Sequence, residues 1–219
     1  MINIKGKLFV IEGTDGSGKA TQSKMLVEKL KSEGFNVKLL DFPNYNSVYG
    51  KLIRKYLEGD FGNSIELDPY LVSVLYADDR RLQKDEIIEE LEKGTIIIAN
   101  RYVESNMAHQ TAKLSEDKKE KFIRWLNNLE YELNGLPKST KTFFLYLPLE
   151  YRETLMSNRK KLDGHELNKE YQIKAENQYM DLAKKEDWII IDILKNNEIK
   201  KREEILEEIY FNILKLINL

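Results

Sequence analysis

Residues 12–19 read Glu-Gly-Thr-Asp-Gly-Ser-Gly-Lys, directly after the apolar run Leu8-Phe9-Val10-Ile11 and directly before a segment with helical patterning. Gly13, Gly16 and Gly18 let the backbone curl so that successive N–H groups face one concave side. Lys19 adds a positive charge, and the helix it opens aims its N-terminal dipole at the same point. The chemistry of such a G-x-x-x-x-G-K turn is the cradling of nucleotide phosphates, with Thr14, Asp15 and Ser17 in the loop. One position departs from the pattern. The residue after the lysine is Ala20, where a hydroxyl normally ligates magnesium. Thr21 follows, about 100° further around a helix, and is no direct substitute.

Such a loop needs a strand before it and a helix after it. Apolar, β-rich runs predict strands at Lys7–Glu12, Asn36–Asp41, Thr95–Asn100, Lys141–Leu147 and Trp188–Asp192. Near-continuous stretches such as Ile96-Ile97-Ile98-Ala99 and Ile189-Ile190-Ile191 suit strands buried on both faces, as in a parallel sheet covered by helices. Helices are expected at Lys19–Glu33, capped by Gly34, at Pro69–Glu92, ended by Gly94, from Ser115 onward, and at about Glu198–Ile217. The expected fold is α/β, a doubly wound sheet of five parallel strands flanked by helices. No internal repeat or low-complexity linker interrupts it, so residues 1–219 read as a single domain. In open α/β sheets ligands sit beyond the carboxyl ends of the strands, which directs attention to the residues just after each one.

Four clusters stand at those places. They are the phosphate loop with its internal Asp15, Asp41-Phe42-Pro43-Asn44-Tyr45, Tyr76-Ala77-Asp78-Asp79-Arg80-Arg81 on a long helix, and Asn100-Arg101-Tyr102-Val103-Glu104-Ser105-Asn106. The charged segment Arg159-Lys160-Lys161-Leu162-Asp163-Gly164-His165-Glu166 follows the fourth strand and its helix. In this order and spacing the chain resembles the thymidylate kinase family over nearly its whole length. The resemblance implies transfer of a phosphoryl group from ATP, with magnesium, to dTMP.

Residue by residue, the resemblance implies that Gly13, Gly18 and Lys19 hold the ATP phosphates within the nucleotide-binding stretch from Gly13 to Thr21. It gives Asp15 a role toward the sugar 3′-hydroxyl or a magnesium-bound water. Phe42 would shape the monophosphate pocket beside Pro43, often in a cis bond in this family, and Tyr45 would touch the acceptor phosphate. Tyr76 would stack on thymine. Arg80 would fix the dTMP phosphate, and Arg101 would clamp phosphates at the transfer point. Tyr102 would crowd the sugar C2′, with Ser105 and Asn106 near base and phosphate. Arg159 would act from a lid at about residues 159–167 and stack on adenine. The family usually carries Asp before the Arg-Tyr pair, whereas here it is Asn100. With Ala20, that leaves no direct protein ligand expected for magnesium, which would be held by substrate phosphates and waters, with Asp15 acting through water. Two rivals remain, another nucleoside monophosphate kinase and a nucleotide-binding protein without turnover, the latter resting on Ala20 and Asn100.

Composition excludes other classes. A net charge of −2 with no long basic stripe argues against nucleic acid as a partner. With no cysteine there is no disulfide framework and no thiolate zinc site. Two histidines, His109 and His165, are too few for a histidine-rich metal site and are expected to be structural or exposed. No apolar run approaches a membrane span, and Met1 leads almost directly into the first strand, leaving no room for a signal peptide. A cytoplasmic protein is expected. The resemblance also implies a homodimer, for which the apolar stretch Tyr70-Leu71-Val72 and Val74-Leu75 is a candidate surface.

Overall fold

The structure, a computed structural model, describes residues 5–156, 164–165 and 168–217. Five strands, β1 (Lys7–Gly13), β2 (Val37–Asp41), β3 (Ile96–Asn100), β4 (Lys141–Tyr146) and β5 (Ile189–Asp192), form one sheet in the order β2-β3-β1-β4-β5. Every pairing in it is parallel, with Val10 opposite Ala99 on one side and Thr142 on the other. The expected α/β architecture is therefore the observed one.

Alternation along the strands explains the two cores. Leu8, Val10, Ile97, Ala99 and Phe144 point to one face, which α4 (Lys84–Glu92), α5 (Val103–Thr111), α6 (Glu116–Asn127) and α8 (Lys169–Lys185) cover. Phe9, Ile11, Ile98, Phe143 and Leu145 point to the other, covered by α1 (Lys19–Ser32) and α9 (Arg202–Ile217). A sheet buried on both faces requires apolar residues at consecutive positions, which is why β3 reads as an unbroken run. The long crossovers of parallel pairing place helices on both faces.

Several boundaries differ from expectation. The helix expected over Pro69–Glu92 is two, α3 (Pro69–Arg81) and α4, separated by a tight turn in which Gln83 N–H donates to the Arg80 carbonyl at 3.0 Å. The turn lets Ile87 and Leu91 of α4 reach the core while α3 packs on α2 (Val48–Glu58). Residues 194–199 form a hairpin, β6 (Leu194–Lys195) and β7 (Glu198–Ile199), before α9 begins. Asn196 and Asn197 turn it at φ of 53° and 63°, a conformation asparagine tolerates. After α6 comes a π-helical turn, Asn128–Leu133, and after β4 comes α7 (Leu149–Met156). Gly34, at φ 87°, follows α1 as expected.

Candidate active site

β1 runs straight into the phosphate loop. At Gly13, φ 157°, a Cβ would meet Ser17 Oγ at 2.5 Å and the Leu145 carbonyl at 2.8 Å, so a larger residue forces the loop open. Gly18, φ 85°, is the N-cap of α1, and no side chain caps that helix. The first-turn N–H groups are thus available to an anion. Ser17 Oγ is buried and has no hydrogen-bond partner among the described residues; a phosphate oxygen satisfies such a group. Lys19 Nζ donates to the Thr14 carbonyl at 2.8 Å and lies 3.9 Å from Asp15. Burial, and after it the charge of Arg101, pushes the Lys19 ammonium down to about 7. Anionic phosphate arriving there drives it back up. Ala20 is exposed and Thr21 half-buried at the start of α1.

Arg101, the residue directly after β3, itself sits at φ 66°, a left-handed conformation rare outside glycine. Its N–H donates to the Ile11 carbonyl at 3.1 Å, and the next N–H, of Tyr102, donates to Glu12 Oε1 at 3.0 Å. Glu12 is fully buried. Its other oxygen accepts from Ser105 Oγ at 2.7 Å and from the Tyr179 hydroxyl at 3.1 Å. Those two hydroxyls, with their protons committed to Glu12, accept from the Arg101 guanidinium at 3.0 and 3.1 Å. The same guanidinium is paired with Asp15. Burial alone would raise the Asp15 carboxyl, but Arg101 and Lys19 hold it well below the usual carboxylate range.

Beside this charged cluster, beyond the carboxyl ends of β1 and β3, lies a pocket of about 120 Å³. Seven residues expected from sequence line it: Asp15, Pro43, Tyr45, Tyr76, Arg101, Ser105 and Asn106. The Phe42–Pro43 bond is cis. Leu57, His109, Gln110 and His165 complete the lining and were not expected there. On α5 the helical period brings Ser105, Asn106, His109 and Gln110 to one side, a signal readable once Arg101 is known to precede a helix. Gln110 is almost fully buried, and its Oε1 has no partner among the described residues. Tyr171 donates its hydroxyl proton to the His109 carbonyl at 3.1 Å, so the 3.0 Å contact with His109 Nδ1 requires the proton on that nitrogen. His109 Nε2 is then an acceptor. Burial, with Arg101 behind it, keeps this imidazole's pKa well below its ordinary value.

Three expected residues stand elsewhere. Arg80 does not reach the pocket. Its guanidinium, 2% exposed, is paired with fully buried Glu130 and donates to the Tyr102 carbonyl at 3.2 Å. A buried guanidinium needs a buried carboxylate, and Glu130, fifty residues away on the π-helical turn, left no local sign in the sequence. Neighbouring Arg81 is on the surface, 3.6 Å from Asp78. Tyr102 is buried in the core, with its ring centroid 5.9 Å from that of Phe42 and its hydroxyl donating to the Pro137 carbonyl at 3.0 Å. It is not part of the pocket lining. Phe42 likewise belongs to the core, and its neighbour Pro43 lines the pocket. Arg159 and most of the expected lid lie outside the described residues. Two unexpected arginines stand close by. The Arg54 guanidinium is 4.6 Å from the Tyr45 ring centroid. Arg152, 1% exposed, braces the phosphate loop through the Asp15 carbonyl at 3.3 Å and pairs with Glu176 at 2.5 Å.

For a hard cation the oxygen donors nearby are Asp15, Asp41 and Asn100. Asn100 Nδ2 donates to Asp41 at 2.6 Å, while its Oδ1 is buried and unpartnered among the described residues. The described residues contain no group of three or more acidic or histidine side chains able to ligate a metal. This donor set suits magnesium held largely through waters and phosphates.

Comparison with known proteins bears on the same region. Residues 11–205 match the sequence model of the thymidylate kinase family. The chain is 35% identical to thymidylate kinase of Plasmodium falciparum over 89% of its length and 85% of that protein. It is 31% identical to a probable thymidylate kinase of Methanocaldococcus jannaschii, covering 93% of this chain and 95% of that one. Among solved structures, thymidylate kinase from Candida albicans superposes with a TM-score of 0.73 at 29% identity, over 97% of this chain and 93% of that one. With a family match that spans most of its length, and relatives that cover it nearly end to end, this chain belongs to the thymidylate kinase family.

Proposed function

We propose that this protein transfers the γ-phosphoryl group of ATP to the phosphate of dTMP. The observation that carries the reading is the continuity of two subsites, an open phosphate loop and a small pocket that share Asp15 and Arg101 on their common wall. The acceptor is already anionic and needs little deprotonation, so the obstacle is bringing two polyanions together. Lys19 and the loop N–H groups bind the donor phosphates. Arg101 leaves Asp15 and spans donor and acceptor, its two hydroxyl partners keeping the guanidinium in place. Arg54 supplies the acceptor side with the cation that Arg80 does not. Tyr76 offers its ring to the base, and the Gln110 amide oxygen accepts from a ring N–H of the imide type that thymine carries. His109 Nε2 is placed to accept from a sugar hydroxyl. Magnesium, when bound with ATP, neutralises donor-phosphate charge, with Asp15 and the Asn100–Asp41 pair as water-mediated supports. The enzyme is a single domain, and Arg159 of the expected lid, about residues 159–167, adds positive charge toward the donor phosphates. The exposed Leu71 and Val74 side chains on α3 are the surface for a homodimer. A cysteine-free chain suits the cytoplasm.

The test is ADP formation from ATP and magnesium with dTMP, dUMP, UMP, CMP, dGMP and AMP as acceptors. Turnover with dTMP well above the others is expected. The Candida albicans relative is described as having broad substrate specificity, so turnover with several acceptors keeps the mechanism and overturns only the base assignment. Nucleotide binding without ADP formation from any acceptor overturns the enzyme reading and returns Ala20 and Asn100 to prominence.

A further inference from the structure

We infer that a second binding site, for an aliphatic diamine or longer polyamine, lies in the cavity that reaches Glu104 from the amino-terminal ends of β4 and β5. The cavity is a half-open cleft of about 240 Å³ between α5, the end of α6, the π-helical turn and the start of β4. That is room for about eight waters at ~30 Å³ each, and none of its lining is shared with the pocket beside Arg101.

Its inner end is made of acceptors. Glu104 is 4% exposed. Its Oε1 accepts from Ser139 Oγ at 2.8 Å and Thr142 Oγ1 at 2.9 Å, while Oε2 is buried with no partner among the described residues. Asn127 Oδ1 is buried and unpartnered in the same way. Both residues line the cavity. Of the lysines in the lining, Lys141 is paired outward with Asp187 at 2.5 Å, and Lys138 lies over the ring of Tyr131 at 5.3 Å from its centroid, so neither is paired with Glu104. A protonated primary amine supplies what the inner end lacks, a positive charge with three N–H donors. Burial, and after it the charge of Glu12, pushes the Glu104 carboxyl up to about 7, the condition of a carboxylate without a cation.

The walls select the organic cation over a metal ion. Trp188, Tyr131 and Met107 flank the cavity. Methylenes pack on such surfaces, and with Lys138 over the Tyr131 ring it is the Trp188 face that attracts an ammonium. A metal ion would want several oxygen ligands, and the described residues offer no cluster of three or more acidic or histidine groups. Glu186, the exposed C-cap residue of α8, also lines the cavity and forms no ion pair among the described residues. Two carboxylates in one lining, Glu104 buried and Glu186 exposed, with the apolar surfaces of Met107 and Trp188 beside them, are the complement of an α,ω-diamine, whose methylene chain separates two ammonium groups.

The experiment is calorimetric titration of the full chain at constant ionic strength with 1,4-diaminobutane, spermidine and n-butylamine, with magnesium chloride as the control. The expected result is saturable one-site binding of the diamine, about tenfold tighter than the monoamine. Glu104→Gln weakens both amines tenfold or more, and Glu186→Gln erases the advantage of the diamine. Should Glu104→Gln fail to fold by circular dichroism, Asn127→Ala and Glu186→Gln carry the same comparison. No saturable binding, heat equal to that of the magnesium control, undiminished binding by Glu104→Gln or by both other variants, or monoamine affinity matching the diamine each overturns the assignment.

Discussion

Arg80 and Arg101 carry the same side chain, and the carboxylate each meets decides its use. Arg80 faces Glu130, fully buried, and the pair ties α3 to the turn that presents Arg101. Arg80→Ala is therefore expected to lower stability by about 3–5 kcal/mol, because it strands a buried carboxylate. Denaturant titration reads this, and replacing Glu130 as well recovers part of the loss. A normal stability with a large rise in the acceptor KM would reinstate Arg80 as a phosphate ligand. Arg101 instead faces Asp15, 28% exposed on the pocket wall, a partner that phosphate can displace. Glu12 is the positioning residue behind it. Glu12→Gln replaces an acceptor with an amide that also donates, so the Ser105 and Tyr179 hydroxyls must reorient against Arg101. We expect kcat to fall about 10–10²-fold, with a smaller change in the acceptor KM. A kcat equal to wild type removes Glu12 from the mechanism. Lys19→Ala is expected to cost 10²–10³-fold or more in turnover while the circular dichroism spectrum is kept. Normal ADP release by that variant would sink the phosphate-loop assignment.

At the scale of elements, α5 supplies one wall of the pocket, and α2 with the loop before it supplies another. His165 bridges them. Its Nε2 lies 2.8 Å from the Tyr56 hydroxyl on α2, and the Lys113 ammonium just past α5 reaches that same hydroxyl at 2.7 Å. Burial, and after it the charge of Lys113, pushes the imidazole down to about 4 from an ordinary 6.5. A depressed value in the folded state means that the unfolded chain takes up the proton first as pH falls. The stabilisation is thus present above about pH 6.5 and is lost as the pH drops toward about 4. The window of about 2.5 units caps the effect near 3 kcal/mol. His165→Gln should flatten the fall in thermal midpoint between pH 6.5 and 4. An unchanged slope would place the acid sensitivity elsewhere, His109 being the next candidate. These links were hidden in the sequence because residues 56, 113 and 165 belong to three segments, and only packing makes them neighbours.

For the whole molecule, the apolar stretch Tyr70 to Leu75 resolves into two faces. Val72 is buried in the monomer, while Leu71 and Val74 are 62% and 38% exposed. Leu71→Glu is expected to convert the proposed dimer to a monomer in sedimentation velocity without lowering the unfolding midpoint; a wild-type chain that sediments as a monomer overturns the dimer. What the sequence determined by itself was local and periodic. The glycine spacing before Lys19, the unbroken apolar run of β3 and the alternation that sends Leu8 and Phe9 to opposite faces depend only on nearby residues and on backbone geometry. The phosphate loop, the five parallel strands and the strand-end segments that hold Asp15, Pro43, Tyr45, Arg101, Ser105 and Asn106 were legible for that reason, while Tyr76 was singled out only by the family resemblance. The tertiary structure decided which charges meet. Whether Arg80 was free or tied, whether Tyr102 faced the pocket or the core, and that His109, Gln110 and His165 line the pocket all turned on partners dozens of residues away. A desolvated charge or hydroxyl goes where its complement is, and that complement is assigned only when the chain has closed around it.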